Sequence, residues 1–198
     1  MQGIFKEELK RLLERFTEMG LDVGEQIYQA TKSFIDHDRE LAQSVIEHDE
    51  KVNVAEVRLE DQAINLMALQ QPVANDFRQV IVVLKASSEL ERIGDHAVGI
   101  AKETIRIKGH QRDAIIEAEI AEMTHLIRGM LDATIDAYVK DDGRLAKEII
   151  DANHQIETSF KKIRQSIASK MKNDAKVVTG GTGYLMVLLH VMKLFTKR

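Results

Sequence analysis

The residue pattern of this 198-residue chain predicts an all-α protein made of two tandem three-helix bundles related by internal duplication. Three observations lead there. Breakers are scarce: one proline and 11 glycines interrupt long stretches of Ala, Leu, Ile, Glu, Lys, Arg and Gln, a mixture that favours helix. Apolar residues recur at helical spacing from the first turns onward. The first half can also be laid over the second at an offset of 104 residues, apolar position on apolar position and turn on turn.

Leu9, Leu12, Leu13, Phe16, Met19, Val23, Ile27 and Phe34 form one apolar stripe, so the first helix is amphipathic. Gly20 and Gly24 weaken it locally without ending it. Asp36-His37-Asp38 supplies a turn and an N-cap, and a second helix is expected over about 38–71. Pro72 disfavours helix in the residue before it and suits a first helical turn. A third helix is therefore expected from near Pro72 to about Lys108, with Gly109 as its C-cap.

The pattern then repeats. A fourth helix is expected over about 112–140, a turn at Asp141-Asp142-Gly143, and a fifth helix over about 144–172. "TGGTG" (179–183) reads as a flexible loop, with a sixth helix from near Tyr184. At the offset of 104, Met19 meets Met123, Phe34 meets Tyr138, Asp38 meets Asp142 and Val52 meets Ile156. Two unrelated amphipathic helices falling into phase is the alternative, but turns and apolar positions agree together. The repeats divide at 1–110 and 111–198.

Composition narrows the function classes. Apolar residues make up 44%, enough for a core. The net charge is −4, from 28 basic and 32 acidic residues interleaved without a basic block, so no nucleic-acid footprint is present. The absence of cysteine excludes disulfides and thiolate metal sites and fits the cytoplasm. "MQGIFKEELKRLLERF" carries charges through its apolar pattern, unlike a signal peptide. The longest apolar run, "YLMVLLHVMKLF", contains His190 and Lys193 and is shorter than the roughly 20 residues of a membrane span. The expectation is a soluble, cytoplasmic protein.

The stretch "LKASSELERIGDHAVGIAKE" (84–103) carries the candidate site. Glu91 and Asp95 share one face of the third helix. The second and third helices are joined by almost nothing, so they must run antiparallel. Folding about Pro72 places Asp49 level with Asp95 and Asn53 level with Glu91. Asp49, Asn53, Glu56 and Glu60 form one polar stripe on the second helix. Carboxylates gathered at one level need protons, a basic partner such as Arg92 or Lys85, or a cation. Hard oxygen donors suit Mg²⁺, Ca²⁺, Mn²⁺ or iron. An exposed acidic seam paired with Arg and Lys is the alternative. The Glu-x-x-His pair of a di-iron centre is missing, since Glu89 is followed by Arg92 at that spacing.

These residues resemble the PhoU family of bacterial phosphate-signalling regulators. "QQPVANDFRQVIVVLKASSELERIGDHAVGIA" (70–101) is similar to the family's first signature, and "HDEKVNVAE" (48–56) to its second-helix motif. The resemblance covers essentially the whole chain. It implies two three-helix bundles side by side, with a surface metal cluster on each bundle held by Glu-or-Asp-x-x-x-Asp motifs. Glu91 and Asp95 match that motif, while Asp49 and Asn53 match its counterpart less fully because Asn53 is an amide. The cation implied is divalent or trivalent: iron, manganese, magnesium or zinc. The resemblance further implies a non-enzymatic homodimer without nucleic acid, peripheral to the membrane through its partners. Those partners are the ATP-binding subunit of a phosphate ABC transporter and a sensor histidine kinase, and the effect is negative regulation when phosphate is plentiful. The rival reading is a carboxylate-bridged metal-binding or redox bundle; a further rival is a purely structural helical module.

One departure stands out. The family repeats its Leu-Glu-Arg-Ile-Gly-Asp-His string after "TGYLM", but here "TGYLMVLLH" is followed by "VMKLFTKR". The departure looks like a truncation or a shifted reading frame. The offset takes Asp49 to Asn153, Asn53 to Glu157 and Glu91 to Phe195; sliding it by three puts Met192 and Thr196 opposite instead. The sixth helix therefore supplies no carboxylate, and one metal cluster per chain is expected, in the first bundle.

Other signals are weaker. "TGGTG" offers backbone amides for a phosphate, but no strand precedes it and no Lys follows as in a P-loop, which favours a plain loop. Among His37, His48, His96, His110, His125, His154 and His190, only His96 lies near the carboxylates, and it reads as a supporting or surface residue. No nucleophile motif is visible, and Tyr28, Tyr138 and Tyr184 read as core.

Overall fold

The structure, a computed structural model, describes residues 2–107, 109 and 113–196. Its elements in chain order are α1 (Gln2–Asp36), α2 (Arg39–Gln70), α3 (Ala74–Arg106), α4 (Ala114–Val139), α5 (Gly143–Asn173), a 3-10 turn (Ala175–Val177) and α6 (Val178–Phe195). No strand occurs among the described residues. α1, α2 and α3 pack together as one bundle, and α4, α5 and α6 as the other. The bundles meet where α1 lies on α4 and α3 lies on α6. The division expected at 110/111 lies outside the described residues, as does Lys108, the expected end of the third helix.

The duplication is visible in the backbone. His37 and Asp141 both adopt the left-handed conformation, with φ of 54° and 53°. Each is followed by an aspartate N-cap: Asp38 accepts from the Leu41 amide, and Asp142 from the amides of Arg144 and Leu145. A left-handed residue ends one helix and the aspartate side chain starts the next. Both devices are 104 residues apart.

The predicted stripe of α1 is the centre of the core. Leu12, Phe16, Met19, Val23, Ile27 and Phe34 are all buried, as are the offset-related Met123 and Ile156. Each such side chain contributes about 1.5–3 kcal/mol through burial. The buried apolar residues of both bundles form one continuous cluster. Gly20 permits the close approach of α1 to α4, because a Cβ there would stand 2.1 Å from Cδ1 of Ile135.

Three expectations are corrected. "TGGTG" is not a loop: it lies inside α6, with Gly180, Gly181 and Gly183 buried. A Cβ on Gly183 would stand 2.9 Å from Ile107, so tight packing on α3 outweighs the low helix propensity of glycine. With these glycines buried against Ile107 and Met171, the stretch forms no open phosphate-binding loop. Pro72 does not open α3. Gln71, left-handed with φ 46°, caps α2, and the extended Val73 precedes Ala74. Tyr28 is not core: it is 46% exposed, because Ile27 takes the inward position and Arg128 lies over the ring at 5.2 Å.

By length and composition the stretch Ala175–Phe195 is apolar enough to cross a membrane. In the fold it serves as a core helix, burying Tyr184, Val187, Leu188, Val191 and Leu194.

Candidate metal site

The short connection makes α2 and α3 antiparallel neighbours, and Gly94 of α3 lies against Val52 of α2. Folding about Pro72 would set Gly94 level with Glu50, so the true register is shifted by two residues. The shift follows from the cap at Gln71 and the extended Val73, which move the fold-back centre by one residue. Glu56 thereby joins the acidic group that surrounds Glu91.

Asp95, Glu56 and Asp49 all act on Glu91. Burial first, and then the charges of Asp95, Glu56 and Asp49, push the Glu91 carboxyl above its ordinary range. Asn53 lies on the same stripe, and its Oδ1 is buried with no hydrogen-bond partner. Asp49 and Asp95 thus lie near Glu91 on the α2–α3 face, with Asn53 on the same stripe of α2. Among the described residues, however, no three Asp, Glu or His side chains converge closely enough to hold one ion as they stand. The cluster is open rather than a closed cage.

Two features escaped sequence reasoning. Gln26 of α1 donates through Nε2 to Asp49 Oδ1 at 3.0 Å. Its own Oε1 is buried without a partner, and a Cβ on Gly94 would stand 2.9 Å from it. The signal for Gln26 was a lone amide on the apolar side of α1, between Val23 and Ile27. The second feature concerns Arg92, one expected counter-charge. It turns away from the cluster: Nε donates to Glu89 at 2.9 Å and Nη1 to the Lys193 carbonyl at 2.9 Å. Lys85, the other, is exposed.

His96 meets a second histidine. Its ring lies 5.7 Å from that of His190 on α6, tilted by 53°. Burial, then Lys193 and Lys102, hold His190 below the usual imidazole range. His110 lies outside the described residues.

In the second bundle, Asn153 and Glu157 occupy the places related to Asp49 and Asn53, and Asn153 Oδ1 is likewise buried without a partner. α6 contains no Asp or Glu. Thr196, one of the residues opposite, donates its hydroxyl to the Met192 carbonyl.

The family model of the PhoU domain matches residues 16–104 and again residues 120–193. The chain belongs to the PhoU family. The two matches fall on the two bundles, so the duplicated helices are two PhoU domains. The chain is 30% identical over 192 residues to the "Phosphate-specific transport system accessory protein PhoU homolog" of Clostridium acetobutylicum, spanning 96% of this chain and 87% of that protein. It is 31% identical over 191 residues to the protein of the same name from Streptococcus pneumoniae, spanning 96% and 88%. The crystal structure of the phosphate transport system regulatory protein PhoU from Streptococcus pneumoniae superposes with a TM-score of 0.89 at 29% identity, covering 96% of this chain and 89% of that one. PhoU from Pseudomonas aeruginosa superposes with a TM-score of 0.91 at 25% identity, covering 96% and 91%.

Proposed function

We propose that this PhoU-family chain is a cytoplasmic regulator of phosphate uptake that works through protein contacts rather than catalysis. The observation that carries the reading is the match of both bundles to PhoU domains, together with relatives named as accessory proteins of the phosphate-specific transport system. The finer reading couples the ATP-binding subunit of a phosphate ABC transporter to a sensor histidine kinase and represses the starvation response when phosphate is plentiful. The chain acts as a homodimer. Deleting the chain should derepress a phosphate-starvation reporter in phosphate-replete cells. Pull-downs from such cells should recover the transporter subunit or the kinase, and recovery of neither would count heavily against the reading.

The same reading includes a hard cation on the α2–α3 face, held by Glu91, Asp95, Asp49 and Asn53. The donor chemistry supports it: all these atoms are oxygens, the acids lack basic partners within the group, and Asn53 Oδ1 is buried with nothing to satisfy it. A cation would relieve the repulsion that raises Glu91 and tighten the open cluster. It would give this surface a fixed shape and charge. Elemental analysis of protein purified without chelator tests it, and a metal-free preparation that takes up no iron, manganese, magnesium or zinc would end this part of the proposal.

A further inference from the structure

We propose that His96 and His190 form a second cation site, for borderline transition metals such as Cu²⁺, Ni²⁺ or Zn²⁺, which clips α3 to α6 and so joins one bundle to the other. The two rings come from helices of different bundles and have centroids 5.7 Å apart, tilted by 53°. With metal–nitrogen bonds of about 2.0 Å and a ring centre about 1.1 Å behind each nitrogen, two imidazoles on one ion have centroids about 5 Å apart at a tetrahedral angle and about 6 Å apart when trans. The observed separation lies between these limits. The ring separation fits two imidazoles on one ion, with water completing its coordination.

The pair is held in place. The His190 ring lies against the backbone of Gly99: a Cβ there would stand 2.3 Å from Cε1 and Nδ1 of His190. Its Nδ1 is buried with no hydrogen-bond partner. Three residues beyond His190, the Lys193 carbonyl accepts from Arg92, four residues before His96. Helices fixed to each other on this seam present the two imidazoles without a search through loop conformations.

The charged neighbours do not prevent binding. Arg92 is occupied by Glu89 and by the Lys193 carbonyl. Lys102 and Lys193 are exposed and free to extend their ammonium groups into solvent. Together with burial they keep His190 neutral, which is the form a metal requires. Imidazole favours Cu²⁺ and Ni²⁺, whereas the oxygen-only α2–α3 cluster favours harder ions, zinc being common to both.

The test uses the full chain carrying Glu91→Ala with Asp95→Ala, so that the acidic face contributes nothing. Equilibrium dialysis against Cu²⁺ should find one tightly held ion per chain, and electron paramagnetic resonance should show coupling to two imidazole nitrogens. His96→Gln should weaken binding by about tenfold or more. Gly99→Ala should weaken it as well, by displacing the His190 ring, with helix content measured in parallel. Unchanged affinity in the folded His96→Gln chain, or coupling to a single nitrogen, would place the ion on other histidines and overturn the proposal.

Discussion

Gln26 and Asp49 are joined by a hydrogen bond of 3.0 Å that fastens α1 to the acidic face between α2 and α3. Gln26 is 6% exposed, so this is a buried amide holding a partly exposed carboxylate in one rotamer. Gln26→Ala is expected to release Asp49, weaken hard-cation binding several-fold and cost about 1 kcal/mol of stability. Isothermal titration of metal-free protein with Mn²⁺, beside urea unfolding, checks both effects. Unchanged Mn²⁺ affinity would remove Gln26 from the site.

The paired substitution Glu91→Ala with Asp95→Ala should abolish binding of the proposed hard cation, since it removes both α3 carboxylates proposed to hold it. Glu157→Ala should barely change it, because α6 offers no carboxylate opposite. Metal content per chain, measured after dialysis, should therefore be one cluster in the first bundle. Equal occupancy of both bundles would refute the asymmetry.

Glu91 also predicts a pH dependence. Its folded value lies above the ordinary carboxylate value of 4.5. A raised group binds more protons folded than unfolded, so its contribution is fully present below 4.5 and is lost as pH rises through the folded value. Metal-free protein should accordingly be more stable as Glu91→Gln at pH 7. The advantage should shrink as pH falls through the raised value and vanish once wild-type Glu91 is protonated. Thermal melts of both chains across that range decide it, and a gap independent of pH would contradict it.

Tyr184 secures the far end of the second bundle. Its hydroxyl donates to Glu117 Oε1 at 2.6 Å and accepts from the Asp113 amide at 2.9 Å, while His37 Nε2 lies 2.9 Å from the same Glu117 oxygen. Burial, then the bond to Glu117, keeps the phenol protonated well past its usual range. Glu117 is almost fully buried, so losing a donor is costly. Tyr184→Phe should destabilise the chain by about 1.5–3 kcal/mol in urea unfolding. A change below about 0.5 kcal/mol would show that the hydroxyl has no such role.

The helices and their order were legible because periodicity, caps and turn residues are local signals. Asp38 and Asp142 illustrate it: each is a short polar side chain just before an apolar run, and each caps a helix. The offset between them exposed the duplication without any knowledge of packing. The acidic face was legible to within two residues, because a short connection leaves antiparallel helices little freedom of register. Asp49 and Asp95 accordingly lie close enough to Glu91 to act on its carboxyl, with Glu56 added by the shifted register.

The remaining features depend on contacts between residues distant in the chain. "TGGTG" has the local chemistry of a loop, yet Ile107 and Met171 press on it and leave room only for a glycine-lined helix. Arg92 is adjacent to Glu91 in sequence, but a carbonyl on α6, 101 residues away, claims its guanidinium. Gln26 reaches the acids, and His96 meets His190, only because helices of particular pitch cross at particular points. Helical spacing sets which face a residue occupies. Which neighbour fills that face is set by close packing between elements, where a single glycine decides how near two helices can come.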